Sequence, residues 1–120
     1  MKKSVYLISP NKINRNFYYR LDKVLSINNV KYFQLRLKKE KLNSLLKIAN
    51  KIKKITKKHK VKLIINDNYI LASKMNADGC HMGQLDGSIK EARKKLKNKI
   101  LGITCHNSKI LAKKAINFRA

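Results

Sequence analysis

Three of the six acidic residues of this 120-residue chain lie in one short segment, IINDNYILASKMNADGCHMGQLD, at positions 64 to 86. They are Asp67, Asp78 and Asp86. Carboxylates are rare here, because Lys and Arg total 30 and the formal net charge is +24. Magnesium is typically held by one or two carboxylates while substrate phosphates complete its shell. Asp67 and Asp86 are therefore candidate magnesium ligands, whereas Asp78, in Ala-Asp-Gly, is expected to serve a turn.

A row of polar residues precedes this segment in QLRLK, at positions 34 to 38. Side chains alternate along a strand, so Gln34, Arg36 and Lys38 are expected to point to one face. Together with Asn66, they supply hydrogen-bond donors suited to phosphate oxygens. A cationic row beside two carboxylates favours a complex of magnesium and diphosphate over a bare phosphate.

The elements that must position these residues alternate between strands and helices. The apolar patterns predict strands at 4–9, 31–37, 61–65, 79–82 and 99–104, and helices at 17–27, 41–58, 69–75, 89–96 and 108–116. This alternation predicts an α/β fold with a parallel sheet. The lysine-rich amphipathic segment 41–58 is then an outer helix packed on the sheet rather than a membrane-surface helix.

In a parallel α/β fold, functional groups lie at the carboxyl ends of strands and in the loops that follow. The candidate residues fit this rule, and so does Thr104 at the end of the fifth strand. Simpler interpretations exist for single residues: Asp67 and Asp86 could cap the next helices, and His81 could be a hydrogen-bonded core histidine. Five strand–helix units fit either a five-stranded doubly wound sheet or the first part of an eight-unit barrel.

The strong positive charge suggests an anionic partner. The excess of lysine, isoleucine and asparagine is typical of a codon bias that places lysine on solvated faces, so we expect neither a specific nucleic-acid partner nor a membrane partner. No apolar run approaches the ~20 residues that span a bilayer, and the start does not resemble a signal peptide. Cys80 and Cys105 lack metal-site spacing and are expected to be free thiols in the cytoplasm.

Three segments resemble the thiamine-phosphate synthase family: QLRLK, the segment 64 to 86, and LGITCHNS at 101 to 108. They match the family's Q-x-R-x-K, N-D, A-D-G-x-H-x-G-Q-x-D and G-x-[ST] motifs in order and spacing. The resemblance implies a (β/α)₈ barrel of the TIM type. Residues 1–120 would then form a partial barrel domain of about five of the eight units, a fragment with the C-terminal units missing.

The resemblance also implies an activity: a transferase of thiamine biosynthesis that joins hydroxymethylpyrimidine diphosphate to thiazole phosphate, yielding thiamine phosphate and diphosphate. By family match, the pyrimidine diphosphate would be bound by Gln34, Leu35, Arg36, Leu37, Lys38, Asn66 and Thr104. Arg36, Lys38 and Thr104 would be catalytic, and Asp67 and Asp86 would bind Mg²⁺. Thr104 stands where many members have serine, and His81 and Gln84 would have supporting parts.

Two other functions remain as alternatives. A thiazole tautomerase-like homologue would share the barrel, but it has no magnesium diphosphate to hold, so the two carboxylates favour the synthase. A basic RNA-binding module would need aromatic side chains placed for stacking on bases. Tyrosines are present, for example Tyr18 and Tyr32, but no RNA-binding motif surrounds them.

Overall fold

The computed structural model describes residues 2–120, in which five parallel strands alternate with five helices. The elements are β1 Val5–Ile8, α1 Phe17–Leu25, β2 Val30–Leu35, α2 Leu42–Lys58, β3 Lys62–Asn66, α3 Tyr69–Lys74, β4 Gly79–Met82, α4 Ile89–Leu96, β5 Ile100–Ile103 and α5 Lys109–Asn117. The predicted alternation is confirmed. Among residues 2–120, no helix is both long and apolar enough to cross a bilayer.

The described part of the chain divides into two compact units, and the first ends at Leu63. In it β1 pairs in parallel with β2, so that Tyr6 lies opposite Tyr32 and Ile8 opposite Gln34. The apolar face of α2 contributes Ala49 and Ile52 to the core, both fully buried. Leu42, at the first turn of this amphipathic helix, is by contrast 58% exposed.

An ion pair and a histidine contact connect the helices of the first unit. Asp22 of α1 accepts a hydrogen bond from Lys58 Nζ at 3.1 Å, and its Oδ1 lies 2.6 Å from His59 Nε2. These hydrogen bonds lower the pKa of the Asp22 carboxyl. Lys58 is largely exposed, so solvent screening keeps the contribution of its ion pair to stability small.

The second unit comprises Ile64–Ala120 and contains the row of strand ends that matters for function. β4 pairs in parallel with β3 and with β5. In this register Asn66 lies opposite His81, and His81 lies opposite Gly102. The middle strand is largely buried, with Cys80 and Met82 both at 0% exposure. Cys80 and Met82 share one buried face of β4, and His81, which lies between them, points to the other face.

A buried arginine holds the carboxyl ends of α4 and α5. Arg93 is 8% exposed, and its guanidinium donates hydrogen bonds to four backbone carbonyls. The acceptors are the carbonyl oxygens of Phe118, Lys97, Lys99 and Arg119, at 2.8, 2.6, 2.8 and 2.8 Å. The last carbonyls of a helix lack partners within the helix, so one side chain satisfies groups at two helix ends. Burial lowers the pKa of Arg93 from its ordinary value.

We expect Arg93→Met to lower the free energy of unfolding by about 2–4 kcal/mol, because it leaves four partly buried backbone carbonyls without their donor. Arg93→Lys should recover only part of this loss, since an ammonium cannot reproduce the planar fork of donors. Lys94→Met, on the exposed side of the same helix, is the matched control and should change stability by no more than about 0.5 kcal/mol. Urea unfolding followed by circular dichroism measures all three, and equal stability of Arg93→Met and Lys94→Met would contradict this role.

Candidate functional site

The predicted cationic row is only partly on a strand. β2 ends at Leu35, two residues before the predicted end, so Arg36 and Lys38 lie in the loop after it. The reason is the length of the neighbouring strand. β1 ends at Ile8, and Ser9 takes over the pairing: its amide donates to Gln34 O at 2.9 Å, and its Oγ accepts from the Arg36 amide at 2.8 Å.

Gln34 is buried, unlike Arg36 and Lys38, the other two members of the cationic row. It is 4% exposed, and its Nε2 donates to Tyr6 Oη at 3.2 Å. Tyr6 in turn stacks on Tyr32, with ring centroids 5.5 Å apart. The side chains of Leu35 and Leu37 are buried as well. Of the five residues in QLRLK, Arg36 and Lys38 thus retain side chains that reach open space.

Arg36 and Lys38 line one cavity of about 510 Å³ in the first unit. Asn11, Lys12, Lys39 and Glu40 complete its lining. The motifs did not identify these four residues. Asn11 and Lys12 were nevertheless open to prediction, because they lie in the loop after β1, where a parallel α/β fold places functional groups. The cavity has five basic or amide side chains that can donate hydrogen bonds to an anion, in addition to the acidic Glu40.

In the second unit, Asp67 follows β3 directly and adopts a left-handed backbone conformation, with φ of 68°. Its amide donates to His81 O at 2.7 Å. The interpretation of Asp67 as a helix cap is wrong, because the N-cap of α3 is Asn68, whose side chain accepts from the Leu71 amide at 2.9 Å. A positive φ is unfavourable for most side chains but is tolerated by aspartate, which suits a residue turned at a strand end.

Asp86 organises the loop after β4. Its Oδ2 accepts a hydrogen bond from the Gly83 amide at 2.7 Å. A Cβ at Gly83 would lie 2.8 Å from that same oxygen, so the glycine leaves room for the carboxylate. The capping interpretation is wrong here too, since Ser88 is the N-cap of α4 and accepts from the Glu91 amide at 3.3 Å.

The charges of Asp67 and Asp86 both act on the buried thiol of Cys80 in β4. Burial, followed by the negative charges of Asp67 and Asp86, raises the pKa of Cys80 to about 12. Both carboxylates must therefore be within electrostatic range of one buried sulfur atom. Partial burial of the His81 ring lowers the pKa of this histidine and so favours the neutral imidazole. The negative charge of Asp86 opposes this effect.

The donor set near Cys80 fits magnesium better than a transition metal. Within residues 2–120, no group of three or more His, Cys, Asp or Glu side chains could hold a metal ion. Zinc sites take three or four protein ligands, commonly with nitrogen or sulfur donors. Magnesium needs only one or two carboxylates when phosphate oxygens and water supply the rest. The pair Asp67 and Asp86 is consistent with the second arrangement.

Thr104 lies just past β5 and is held by two side chains from β4 and the loop after it. His81 Nε2 is 2.8 Å from Thr104 Oγ1, and Gln84 Nε2 donates to Thr104 O at 2.8 Å. The interpretation of His81 as a hydrogen-bonded histidine agrees with this contact, but the ring is only half-buried and it contacts a candidate site residue.

We expect the two free cysteines to differ in reactivity, because burial and the charges of Asp67 and Asp86 raise the pKa of Cys80 to about 12. Such a pKa leaves very little of the reactive thiolate form of Cys80 near pH 8. Iodoacetamide should therefore alkylate the half-exposed Cys105 at least about 100-fold faster than Cys80, as measured by mass spectrometry of the native chain. Alkylation in 8 M urea, where both thiols are exposed, is the control. Equal native rates would show that Cys80 is not buried beside the carboxylates.

Comparison with known proteins supports the family resemblance along nearly the whole chain. The family model described as thiamine monophosphate synthase matches residues 5–120. The thiamine-phosphate synthase of Pelagibacter ubique is 64% identical over 118 residues, which cover 97% of this chain and 56% of that protein. The thiamine-phosphate synthase of Erythrobacter litoralis is 39% identical over 114 residues, covering 92% and 54%. The chain thus spans about half the length of these curated relatives.

A solved structure shows the same fold. Thiamine phosphate pyrophosphorylase from Pyrococcus furiosus matches 99% of this chain and 57% of its own, with a TM-score of 0.84 and 21% sequence identity. The predicted α/β class of the (β/α)-barrel type is confirmed by this match. Because the family model covers the chain from residue 5 to residue 120, the chain belongs to the thiamine monophosphate synthase family.

Proposed function

We propose that this chain carries the diphosphate-binding and magnesium-binding residues of a thiamine-phosphate synthase. The observation that carries the proposal is the pair Asp67 and Asp86. Both follow neighbouring strands, neither caps a helix, and both act on the Cys80 thiol. In a chain with a formal net charge of +24, two carboxylates that follow neighbouring strands suit a metal ion held beside a polyanionic substrate.

The proposed substrate is hydroxymethylpyrimidine diphosphate, and Arg36 and Lys38 would bind its diphosphate group. Their cavity of about 510 Å³ supports this proposal, because Lys12 and Lys39 add further positive charge to its lining. The planar guanidinium of Arg36 can donate two parallel hydrogen bonds to phosphate oxygens, which a lysine cannot. Gln34, Asn66 and Thr104 belong to the proposed binding set. Because Leu35 and Leu37 are buried, contacts from these two residues would come from their backbone groups.

Asp67 and Asp86 would hold Mg²⁺, which when bound supplies positive charge to neutralise the diphosphate as it leaves. Arg36 and Lys38 would stabilise the negative charge that develops on the departing oxygen. The bond between the pyrimidine methylene carbon and that oxygen breaks, and diphosphate takes the electron pair. The nitrogen of the thiazole phosphate then forms the new bond to the methylene carbon, giving thiamine phosphate. We assign no residue of this chain to the thiazole phosphate.

The domain and its location are part of the same proposal. Residues 1–120 would be a partial barrel domain, and the matched relatives, about twice as long as the aligned segment, support this view. A cytoplasmic location is supported by the two cysteines, which are free rather than paired, as is usual in a reducing compartment. We propose small-molecule substrates as the partners, with no specific nucleic acid and no membrane.

The role of Arg36 can be tested in a chimera in which this chain replaces the aligned segment of the Pelagibacter ubique relative. We expect Arg36→Ala to weaken binding of the pyrimidine diphosphate by about 1.5–3 kcal/mol, or about 10- to 150-fold, because a charge-assisted hydrogen bond is lost. Lys31→Ala, at an exposed lysine of β2, the strand that precedes Arg36, is the matched control for charge. Steady-state kinetics of thiamine phosphate formation gives both values. Kinetics unchanged by Arg36→Ala would remove Arg36 from the site.

The assignment of Asp67 and Asp86 as magnesium ligands predicts a change in the magnesium dependence of turnover. Asp67→Asn and Asp86→Asn should each raise the magnesium concentration needed for half-maximal turnover and lower the turnover itself, since one anionic ligand is lost. Asp78→Asn, the third aspartate of the same segment, should leave the magnesium dependence unchanged. The 120-residue chain alone should form little or no thiamine phosphate. Turnover independent of magnesium would disprove the metal site, and full activity of the short chain would disprove the partial-domain assignment.

A further inference from the structure

We propose that His81 is a positioning residue that fixes the direction of the Thr104 hydroxyl, and that Gly102 is glycine because the His81 ring occupies the space of its side chain. This inference rests on the proposed function, since it concerns how Thr104 would meet the diphosphate. It gives the histidine of the A-D-G-x-H segment and the glycine of the G-x-T segment one shared purpose.

The register of the sheet places the three residues in order. His81 of β4 lies opposite Gly102 of β5, and Thr104 follows two residues later on the same side of the chain. A Cβ at Gly102 would lie 2.5 Å from His81 Nδ1 and 3.4 Å from Cε1. The imidazole therefore lies directly across β5 at Gly102. Even a methyl group there would displace the ring.

The other side of the ring reaches Thr104. His81 Nε2 lies 2.8 Å from Thr104 Oγ1, while Gln84 Nε2 donates to Thr104 O and the Thr104 amide donates to Met82 O, at 2.8 and 2.9 Å. Thr104 is thus held at its amide, its carbonyl and its hydroxyl. Two of these contacts place the backbone, and only the histidine contact can determine where the hydroxyl proton points.

The chemistry of the proposed diphosphate ligand determines which way the proton of the Thr104 hydroxyl must point. A hydroxyl has one proton and two lone pairs, and a diphosphate oxygen can only accept. If the Nε2–H of His81 donates to Thr104 Oγ1, the threonine proton remains available for a phosphate oxygen. If the threonine donates to His81 instead, it presents only lone pairs to the anion. Donation from the threonine hydroxyl to a phosphate oxygen therefore needs the His81 tautomer with the proton on Nε2.

The tautomer can be measured in the chain itself, independently of any ligand. In ¹⁵N-labelled protein near pH 7.5, long-range ¹H–¹⁵N spectra should show His81 with its proton on Nε2. Thr104→Val should shift the Nε2 resonance, and Thr104→Ser, which keeps the hydroxyl, should restore it. A proton on Nδ1, or spectra unaffected by Thr104→Val, would overturn the proposal.

Kinetics of the chimera test the consequence. His81→Ala should lower kcat about 10-fold, the effect of one misdirected hydrogen bond, with the magnesium requirement unchanged. His81→Gln, whose amide can also donate at this position, should recover much of the loss. The double variant His81→Ala/Thr104→Val should be no slower than Thr104→Val alone, because the two residues act as one unit. Circular dichroism of each variant checks that it is folded.

The outcomes separate this inference from the proposed function. An unaltered chimera that forms no thiamine phosphate would disprove the function, while the spectra would still decide whether His81 directs the hydroxyl. An active chimera in which the effects of His81→Ala and Thr104→Val multiply independently would disprove the positioning role alone. Failure of His81→Gln to exceed His81→Ala, with both folded, would do the same.

Discussion

The parallel pairing of β4 with a strand on each side is the constraint on which the candidate site of the second unit depends. It aligns Asn66, His81 and Gly102 in one row at the strand ends. It also buries Cys80 completely, close enough to two aspartates for their charges to act on its thiol. A one-residue slip of this register would turn every side chain of β4 to the opposite face and disperse the site.

Helix capping explains how two aspartates can stand at strand ends without serving the helices that follow. Asn68 and Ser88 provide the side-chain caps of α3 and α4. Both are neutral residues, so the helix starts are stabilised without using a carboxylate. Asp67 and Asp86 are then placed by backbone conformation and by the Gly83 amide. Because other residues cap the two helices, helix capping does not explain why Asp67 and Asp86 stand at these positions.

The positive charge of the chain is divided between two kinds of position. Most lysines are exposed on helices and loops, for example Lys47, Lys51 and Lys54 on α2, as expected for solvated faces. A smaller set, with Arg36 and Lys38, lines the cavity of the first unit. This second set suits the proposed diphosphate binding, whereas a tautomerase has no diphosphate to bind and an RNA-binding surface would need bases stacked on aromatic rings.

The sequence alone determined the alternation of strands and helices, the class of the fold and the family. The bounds of β4 and α4 were predicted correctly, because apolar periodicity and flanking turn residues act locally. The end of β2 was misplaced by two residues, because a strand ends where its neighbour stops pairing, and β1 stops at Ile8. Local pattern contains no information about that neighbour.

Other features depended on contacts between residues far apart in the chain. Arg93 donates hydrogen bonds to the backbone carbonyls of Phe118 and Arg119. No motif identifies Arg93, because its partners are backbone groups, which every residue type provides. His81 reaches Thr104 across 23 positions, through space left by the missing side chain of Gly102. Sequence identified all three residues of that group as motif members. Only the tertiary structure decided that they touch, because the distance between two strands is set by sheet pairing and not by their separation in sequence.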